Sequence, residues 1–274
     1  MKRVLAIHDI SCVGKCSLTV ALPIISALGV ECSSIPTALL STHTGGFTGF
    51  TYLDLTAELP KILEHYKRLD LSVDAIYSGY LGSYEQIDIV KSYVNTFKNA
   101  NYFLDPVMGD NGKLYKNFSP LYPKKMLELV RLADILIPNL TEASLLLGIE
   151  YKEDYTIEYL YKIIRSLSEL GPRIIVLTGV RQDDKIGALI YDKEIDKYYI
   201  KFTDLVPGYY HGTGDIFSSV ICGAMTKGIK MDRALDLALE FTYKSILDTH
   251  KAYKDVKYGV MFEPLLGMLT NEEA

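Results

Sequence analysis

Cysteine is scarce in this chain of 274 residues: Cys12, Cys16, Cys32 and Cys222 are the whole complement. Cys12 and Cys16 stand four apart, but no cluster of His or Cys beside them completes a zinc site, and four scattered thiols make no disulfide framework. Reduced thiols in a cytoplasmic protein are the expectation. Basic charge is also in deficit, with 29 Lys and Arg against 34 Asp and Glu for a net charge of −5. That balance argues against duplex nucleic acid, which normally meets a basic stripe. No apolar run approaches the ~18 residues that span a membrane. Met1-Lys2-Arg3 is followed by only Val4 to Ile7 before His8 and Asp9, which does not read as a secretory signal. Histidines are few and show no Ser-His-Asp or Cys-His order. Tryptophan is absent, and the 21 tyrosines read mostly as amphipathic boundary residues.

What is present is the composition of an ordinary globular protein, 49% hydrophobic and 23% charged. Short β-rich runs alternate with helical periods. Val4–Ile7, Ser34–Leu40, Ala75–Tyr77, Tyr102–Leu104, Ile135–Ile137 and Arg173–Leu177 read as strands. Ser17–Leu28, closed by Gly29, reads as a helix. Leu53–Arg68 has helical spacing, broken or kinked near Pro60. Ile87, Val90, Val94 and Phe97 form one helix face. Thr141 is a plausible N-cap for a helix from Glu142 to Leu147 that stops at Gly148. Ile186–Tyr191 and Lys197–Phe202 read as an antiparallel edge hairpin, and helices follow at Asp215–Thr226 and Asp232–Thr249. Strands alternating with helices imply parallel βαβ units. The expectation is a single α/β domain over residues 1–274, a three-layer α/β/α sandwich with a mostly parallel sheet.

In such sheets ligands bind beyond the carboxyl ends of the strands. Those positions carry Asp9, His43-Thr44-Gly45-Gly46, Ser78-Gly79-Tyr80, Asp105 to Asp110, Asn139 with Glu142, Thr178-Gly179 and Gly212-Thr213-Gly214-Asp215. The last motif is the sharpest. Its glycines let backbone amides turn inward at a helix start, where unpaired N–H groups bind phosphate. Asp215 there is placed to accept a proton from an attacking hydroxyl. Taken alone, Asp215 is equally a helix-start acid and the glycines are turn residues. Asp105 and Asp110, joined by Glu142, offer carboxylates for Mg²⁺, although a solvated acidic loop closed by Asp-Pro and Asn-Gly turns reads as well. Gly14-Lys15-Cys16-Ser17 imitates a nucleotide P-loop but fails it. Asp9 stands where Gly is required, and Cys16 where Ser or Thr must follow the lysine.

Together these motifs resemble the pyridoxal (vitamin B6) kinases of the ribokinase-like superfamily, from about Val4 to about Thr249. Ser78-Gly-Tyr-Leu-Gly-Ser83 with Glu85-Gln86, Asp105-Pro-Val-Met-Gly-Asp110, Pro138-Asn139 with Glu142, and Gly212-Thr-Gly-Asp215 carry the resemblance. It implies transfer of the ATP γ-phosphoryl to the 5′-hydroxymethyl of a B6 vitamer. Asp215 matches the general base, and Gly212, Thr213 and Gly214 the anion hole. Asp110 and Glu142 match the Mg²⁺ site. Asp105, Asn139, Thr178 and Gly179 match positions near the metal or the ATP phosphates. Asp9, His43, Thr44 and Tyr80 fall on the substrate side, Tyr80 over the pyridine ring. Residues 110–115 match a phosphate-covering lid. The resemblance also implies a homodimer and a monovalent-cation requirement, such as K⁺.

Two departures bear on the substrate. Asp9 replaces the serine of many pyridoxal kinases, and His211 precedes Gly-Thr-Gly-Asp; both are similar to hydroxymethylpyrimidine kinases of thiamine synthesis. An aspartate at position 9 would favour a cationic amine, and so pyridoxamine. Hydroxymethylpyrimidine kinase, a non-catalytic vitamin- or nucleotide-binding relative and a sugar or nucleoside kinase are the rival readings.

Overall fold

A computed structural model describes residues 1–270 and Glu272. In chain order the main elements are β1 (Arg3–Val13), α1 (Leu18–Ala27), β2 (Glu31–Thr42), β3 (Tyr52–Asp54), α2 (Leu59–Arg68), β4 (Ala75–Ser78), α3 (Tyr84–Thr96) and β5 (Asn101–Leu104). A small hairpin follows, β6 (Gly109–Asp110) and β7 (Lys113–Leu114), then α4 (Tyr122–Val130), β8 (Ile135–Leu136), α5 (Leu140–Leu147) and α6 (Ile157–Ser168). The chain continues through β9 (Ile174–Gln182), β10 (Lys185–Asp192), β11 (Lys197–Asp204), α7 (Thr213–Lys227) and α8 (Met231–Ala252).

Nine strands form one sheet in the order β11-β10-β9-β8-β5-β4-β1-β2-β3. Pairing is parallel from β2 through β1, β4, β5 and β8 to β9. It is antiparallel where β10 joins β9 and β11. Alternating side chains build two cores. Leu5, Ile76, Tyr102 and Ile175 point to a core shared with α2 to α6. Their neighbours Val4, Tyr77, Phe103 and Ile174 point to the core of α1, α7 and α8. A strand apolar on both faces is what a covered parallel sheet requires. The three-layer α/β/α sandwich is therefore as expected. No helix among the described residues is long and apolar enough to cross a membrane.

Three local readings are corrected. Leu53–Arg68 is not one kinked helix: β3 pairs antiparallel with β2, making a second antiparallel edge, and α2 begins only at Leu59. Pro60 sits in the first turn of α2, where its missing N–H costs nothing and no kink results. Asn139, not Thr141, caps α5: its side chain accepts the Glu142 N–H while Glu142 reaches back to the Asn139 N–H. This capping box satisfies two end groups at once, which a cap at Thr141 would not. Thr178-Gly179 does not end its strand. β9 runs on to Gln182, and these two residues lie where the β9–β10 register shifts, between the Leu177–Leu189 and Val180–Gly187 pairs. Gly179 takes φ +67 there, the left-handed conformation such a bulge favours.

Candidate active site

One cavity of about 400 Å³ opens at the carboxyl ends of the central strands. It brings together Asp105, Asp110, Asn139, Glu142, Thr178, Gly179 and the whole Gly212–Asp215 turn. Each arrives on its own element. Asp105 follows the last residue of β5, with its N–H donating to Ser78 O at 2.9 Å. Asn139 and Glu142 come with the α5 capping box. Thr178 N–H donates to Pro138 O at 2.9 Å, drawing the β9 bulge against Asn139. Asn139 Nδ2 donates to Gly109 O at 2.9 Å, which ties the β6–β7 hairpin to the same point.

The Gly212 turn makes the sharpest feature. Gly212 is the N-cap of α7 at φ 78, and no side chain caps the helix. The first α7 hydrogen bond runs from Ile216 N–H to Gly212 O. Among the described residues no acceptor meets the N–H groups of Thr213, Gly214 and Asp215. Among the described residues the Gly212 N–H meets no acceptor either, so the amides expected of an anion hole, 212–214, are all open, with that of Asp215 beside them. Three free N–H groups at the start of a fifteen-residue helix form a ready anion site. Apart from its chain neighbours and the adjacent α7 backbone, no atom of the described residues lies within 4 Å of a Cβ placed on Gly214, which lines the cavity.

Charge in the cavity is one-sided. Burial and the Asp9 carboxylate push Asp215 up to about 7, against which the Ser17 backbone N–H acts. Asp105 is raised by burial and by the Asp215 charge, although Ser218 Oγ donates to it at 2.8 Å. Ser218 lies three residues beyond Asp215, on the same face of α7. Glu142 is raised by burial and by Asp105, despite accepting the N–H groups of Met108 at 3.1 Å and Asn139 at 2.9 Å. Among the described residues, no Lys or Arg makes an ion pair with Asp105, Asp110, Glu142 or Asp215. No three metal-type ligands converge into a closed cage either. Unpaired acids without a cage suit Mg²⁺, which keeps its waters and is usually held by one or two carboxylates plus phosphates.

The four substrate-side residues lie off this cavity, next to it. His43 is buried, with Nε2–H donating to Lys257 O at 2.7 Å and Nδ1 accepting the Gly45 N–H at 3.1 Å. These partners fix the neutral Nε2–H tautomer, and burial lowers its pKa. Thr44 beside it is exposed. The His43 and His211 rings are 5.0 Å apart, Tyr209 stands edge-on to His211 at 4.9 Å, and Tyr209 OH donates to Asp110 at 3.2 Å. This row of rings joins the His43 loop to the acids. Tyr80 packs on Phe118 at 5.6 Å and accepts from Asn117 Nδ2. Its loop is held by Gln86, which accepts the Gly82 N–H and donates to Thr37 O and Thr56 Oγ1. Asp9 is the exception, with both oxygens engaged by serines.

Residue motifs did not reveal the apolar wall of the cavity. Val206, Leu239, Thr242, Tyr243 and Ile246 form it between the end of β11 and α8. In sequence they read as ordinary core spacing, and only Thr242 among apolar neighbours hints otherwise.

The sequence profile of the phosphomethylpyrimidine kinases matches residues 21–259. The chain belongs to the phosphomethylpyrimidine kinase family. A Bacteroides thetaiotaomicron protein assigned provisionally to this family and crystallised with pyridoxal is 40% identical, with a TM-score of 0.92 over 98% of this chain and 95% of that one. The pyridoxal kinase of Lactobacillus plantarum is 32% identical, with a TM-score of 0.91 over 98% and 96% of the two chains. The pyridoxal kinase of Dictyostelium discoideum is 28% identical over 93% of this chain and 88% of its own. The kinase fold and its phosphotransferase activity thus accompany the geometry above.

Proposed function

We propose that this kinase phosphorylates the 5′-hydroxymethyl group of a B6 vitamer, with ATP as donor. One observation carries the reading: the Asp215 carboxylate and three uncapped N–H groups share a single helix end, facing a cavity lined by unpaired acids. A base and an anion hole at one point serve transfer of a phosphoryl group to a hydroxyl. Pyridoxal in the 40%-identical relative and the pyridoxal kinase names of further relatives favour the B6 vitamer over hydroxymethylpyrimidine.

In this reading the adenine lies against Val206, Leu239 and Ile246, and the polyphosphate runs towards α7. The amides of residues 213–215 take the negative charge that develops on the transferring phosphoryl. Asp215, with a pKa near neutral, accepts the hydroxymethyl proton as the oxygen attacks. Asp110 and Glu142 hold Mg²⁺, which when bound offsets phosphate charge. The β6–β7 hairpin, turned by Asn111 at φ 50 and Gly112 at φ 72, covers the phosphates and limits water. Tyr80 and the His43–Thr44 loop hold the ring. The same reading carries a cytoplasmic homodimer and activation by a monovalent cation, tested by light scattering and K⁺ titration.

Coupled ADP release against pyridoxal, pyridoxine, pyridoxamine and hydroxymethylpyrimidine tests the assignment. Turnover of at least one B6 vitamer above hydroxymethylpyrimidine supports it. Turnover of hydroxymethylpyrimidine alone would replace it with the thiamine-pathway reading.

A further inference from the structure

Asp9 sits in the first strand-end loop, yet its carboxylate is occupied within the protein. Ser17 Oγ donates to Oδ1 at 2.7 Å and Ser11 Oγ to Oδ2 at 3.4 Å. Asp9 and Ser17 are each only 6% exposed. The β1–β2 register shifts between His8 and Ile10, so Asp9 stands at an irregularity of the kind that re-aims a side chain.

Ser17 breaks a local rule. It holds the N-cap position of α1, where serine normally takes an extended backbone and caps the helix with its hydroxyl. Here its backbone is at φ 53 and ψ −130, and its side chain makes no capping bond. Such a conformation is unusual for a residue with a Cβ and persists only where surrounding contacts impose it. The Ser17 carbonyl accepts the first α1 N–H groups, from Val20 at 3.1 Å and Ala21 at 2.9 Å, and its hydroxyl is anchored on Asp9.

What the conformation achieves is visible on the other side of the segment. Gly212 rests directly on it: a Cβ there would lie 2.0 Å from Lys15 O and 3.6 Å from Cys16 Cα. The Ser17 backbone N–H favours the ionised form of Asp215. From behind, Lys15 N–H donates to Tyr258 O at 3.1 Å. Residues 15–17 are therefore a platform under the Gly212–Asp215 turn, fixed at one end by Tyr258 and at the other by Asp9.

We propose that the Asp9–Ser17 hydrogen bond is a brace that positions Asp215 and the neighbouring amides, making Asp9 and Ser17 positioning residues and not selectors of an amine substrate. The proposal rests on Asp215 being the base of the proposed reaction. Substrate selection by Asp9 would require a carboxylate oxygen directed at the vitamer, whereas both are held by serines.

The test uses the full chain with Ser17→Ala, Asp9→Ala, the double variant and Ser17→Gly. Each of the first two lowers kcat at least about 10-fold for pyridoxal and pyridoxamine alike, with KM within about 2-fold, as expected for a displaced catalytic group. The double variant is no worse than the poorer single one, because both remove the same bond. Ser17→Gly recovers most of the lost kcat and melting temperature, since glycine adopts φ 53 without an anchor. A loss confined to pyridoxamine, additive losses, or a glycine variant as poor as the alanine one would overturn the brace. Should Ser17→Ala not fold, Asp9→Ala and Ser17→Gly carry the comparison. A crystal structure of Asp9→Ala gives a readout independent of turnover: the Gly212–Asp215 turn is displaced from Lys15, and an undisplaced turn contradicts the proposal. Wild-type protein that phosphorylates no vitamer refutes the assigned reaction and leaves that structural readout intact.

Discussion

Gly212 lies against the carbonyl oxygen of Lys15 so closely that a Cβ on it would stand 2.0 Å from that oxygen. Two residues on, a Cβ on Gly214 would meet no atom of the described residues within 4 Å beyond its chain neighbours and the adjacent α7 backbone. The two glycines of one motif thus answer to different constraints, the first to backbone packing and the second to the ligand.

Substitution separates them. Gly212→Ala, with φ 78 and a clash against backbone, costs roughly 1–3 kcal/mol of stability. It lowers the melting temperature as well as kcat. Gly214→Ala leaves the melting temperature within a degree or two of wild type, by analogy with compatible surface changes. It lowers kcat at least about 10-fold, because the methyl group enters the space beside a hole whose individual donors are worth ~10²–10³-fold elsewhere. Differential scanning fluorimetry and steady-state kinetics on both variants decide this.

The pKa of Asp215 sets an acid limb. The carboxylate accepts a proton only when ionised, so kcat/KM falls as pH drops through about 7. Asp215→Asn removes that limb and lowers kcat at least ~10²-fold. A pH–rate profile from pH 5 to roughly 9, run on both proteins, checks both statements.

The same shift has a stability counterpart. Burial raises Asp215 from 3.8 to about 7, so its favourable contribution is complete below the unfolded value and is lost as pH rises through the folded one. Asp215→Asn in the ligand-free protein therefore raises the melting temperature at pH 8, and the advantage shrinks towards pH 4. Thermal melts across that range would contradict the sign if the variant gained stability at low pH instead.

Asp110 and Glu142 divide by what else they do. Asp110 is partly exposed, and beyond the adjacent Asn111 its described partner is the Tyr209 hydroxyl. Asp110→Asn should raise the Mg²⁺ concentration needed for half-maximal rate several-fold with the melting temperature unchanged. Glu142 also completes a capping box and accepts the Met108 N–H. Glu142→Gln should lose activity and about 1 kcal/mol of stability together, the scale of a lost cap. Mg²⁺ titrations paired with melts distinguish the two.

How much of this was legible beforehand depended on the kind of signal. Gly212–Asp215 and Asp105–Asp110 could be read because residue type and spacing together specify a helix-start hole and a carboxylate cluster. The alternating β and α runs placed both at strand ends of one sheet. β3 escaped because three exposed residues at an edge carry no alternation, and Leu53 joined smoothly to the helical period beyond it. Asn139 was passed over as a cap because Thr141 has the same capping chemistry two positions on. The apolar wall of the cavity escaped because Leu239 and Ile246 are spaced as any buried helix face. The serine contacts of Asp9 were not legible, because its partner Ser17 adopts a glycine-like backbone that nothing local in the sequence announces.

The central claim is that Asp215 and the amides beside it transfer phosphate to the hydroxymethyl group of a B6 vitamer. Phosphorus NMR of the product formed from pyridoxal and ATP by wild type and by Asp215→Asn tests it most directly. Wild type should give a phosphomonoester on the 5′-hydroxymethyl oxygen, and the variant should form it at least ~10²-fold more slowly. Inorganic phosphate as the only product, or equal rates for the two proteins, would contradict it.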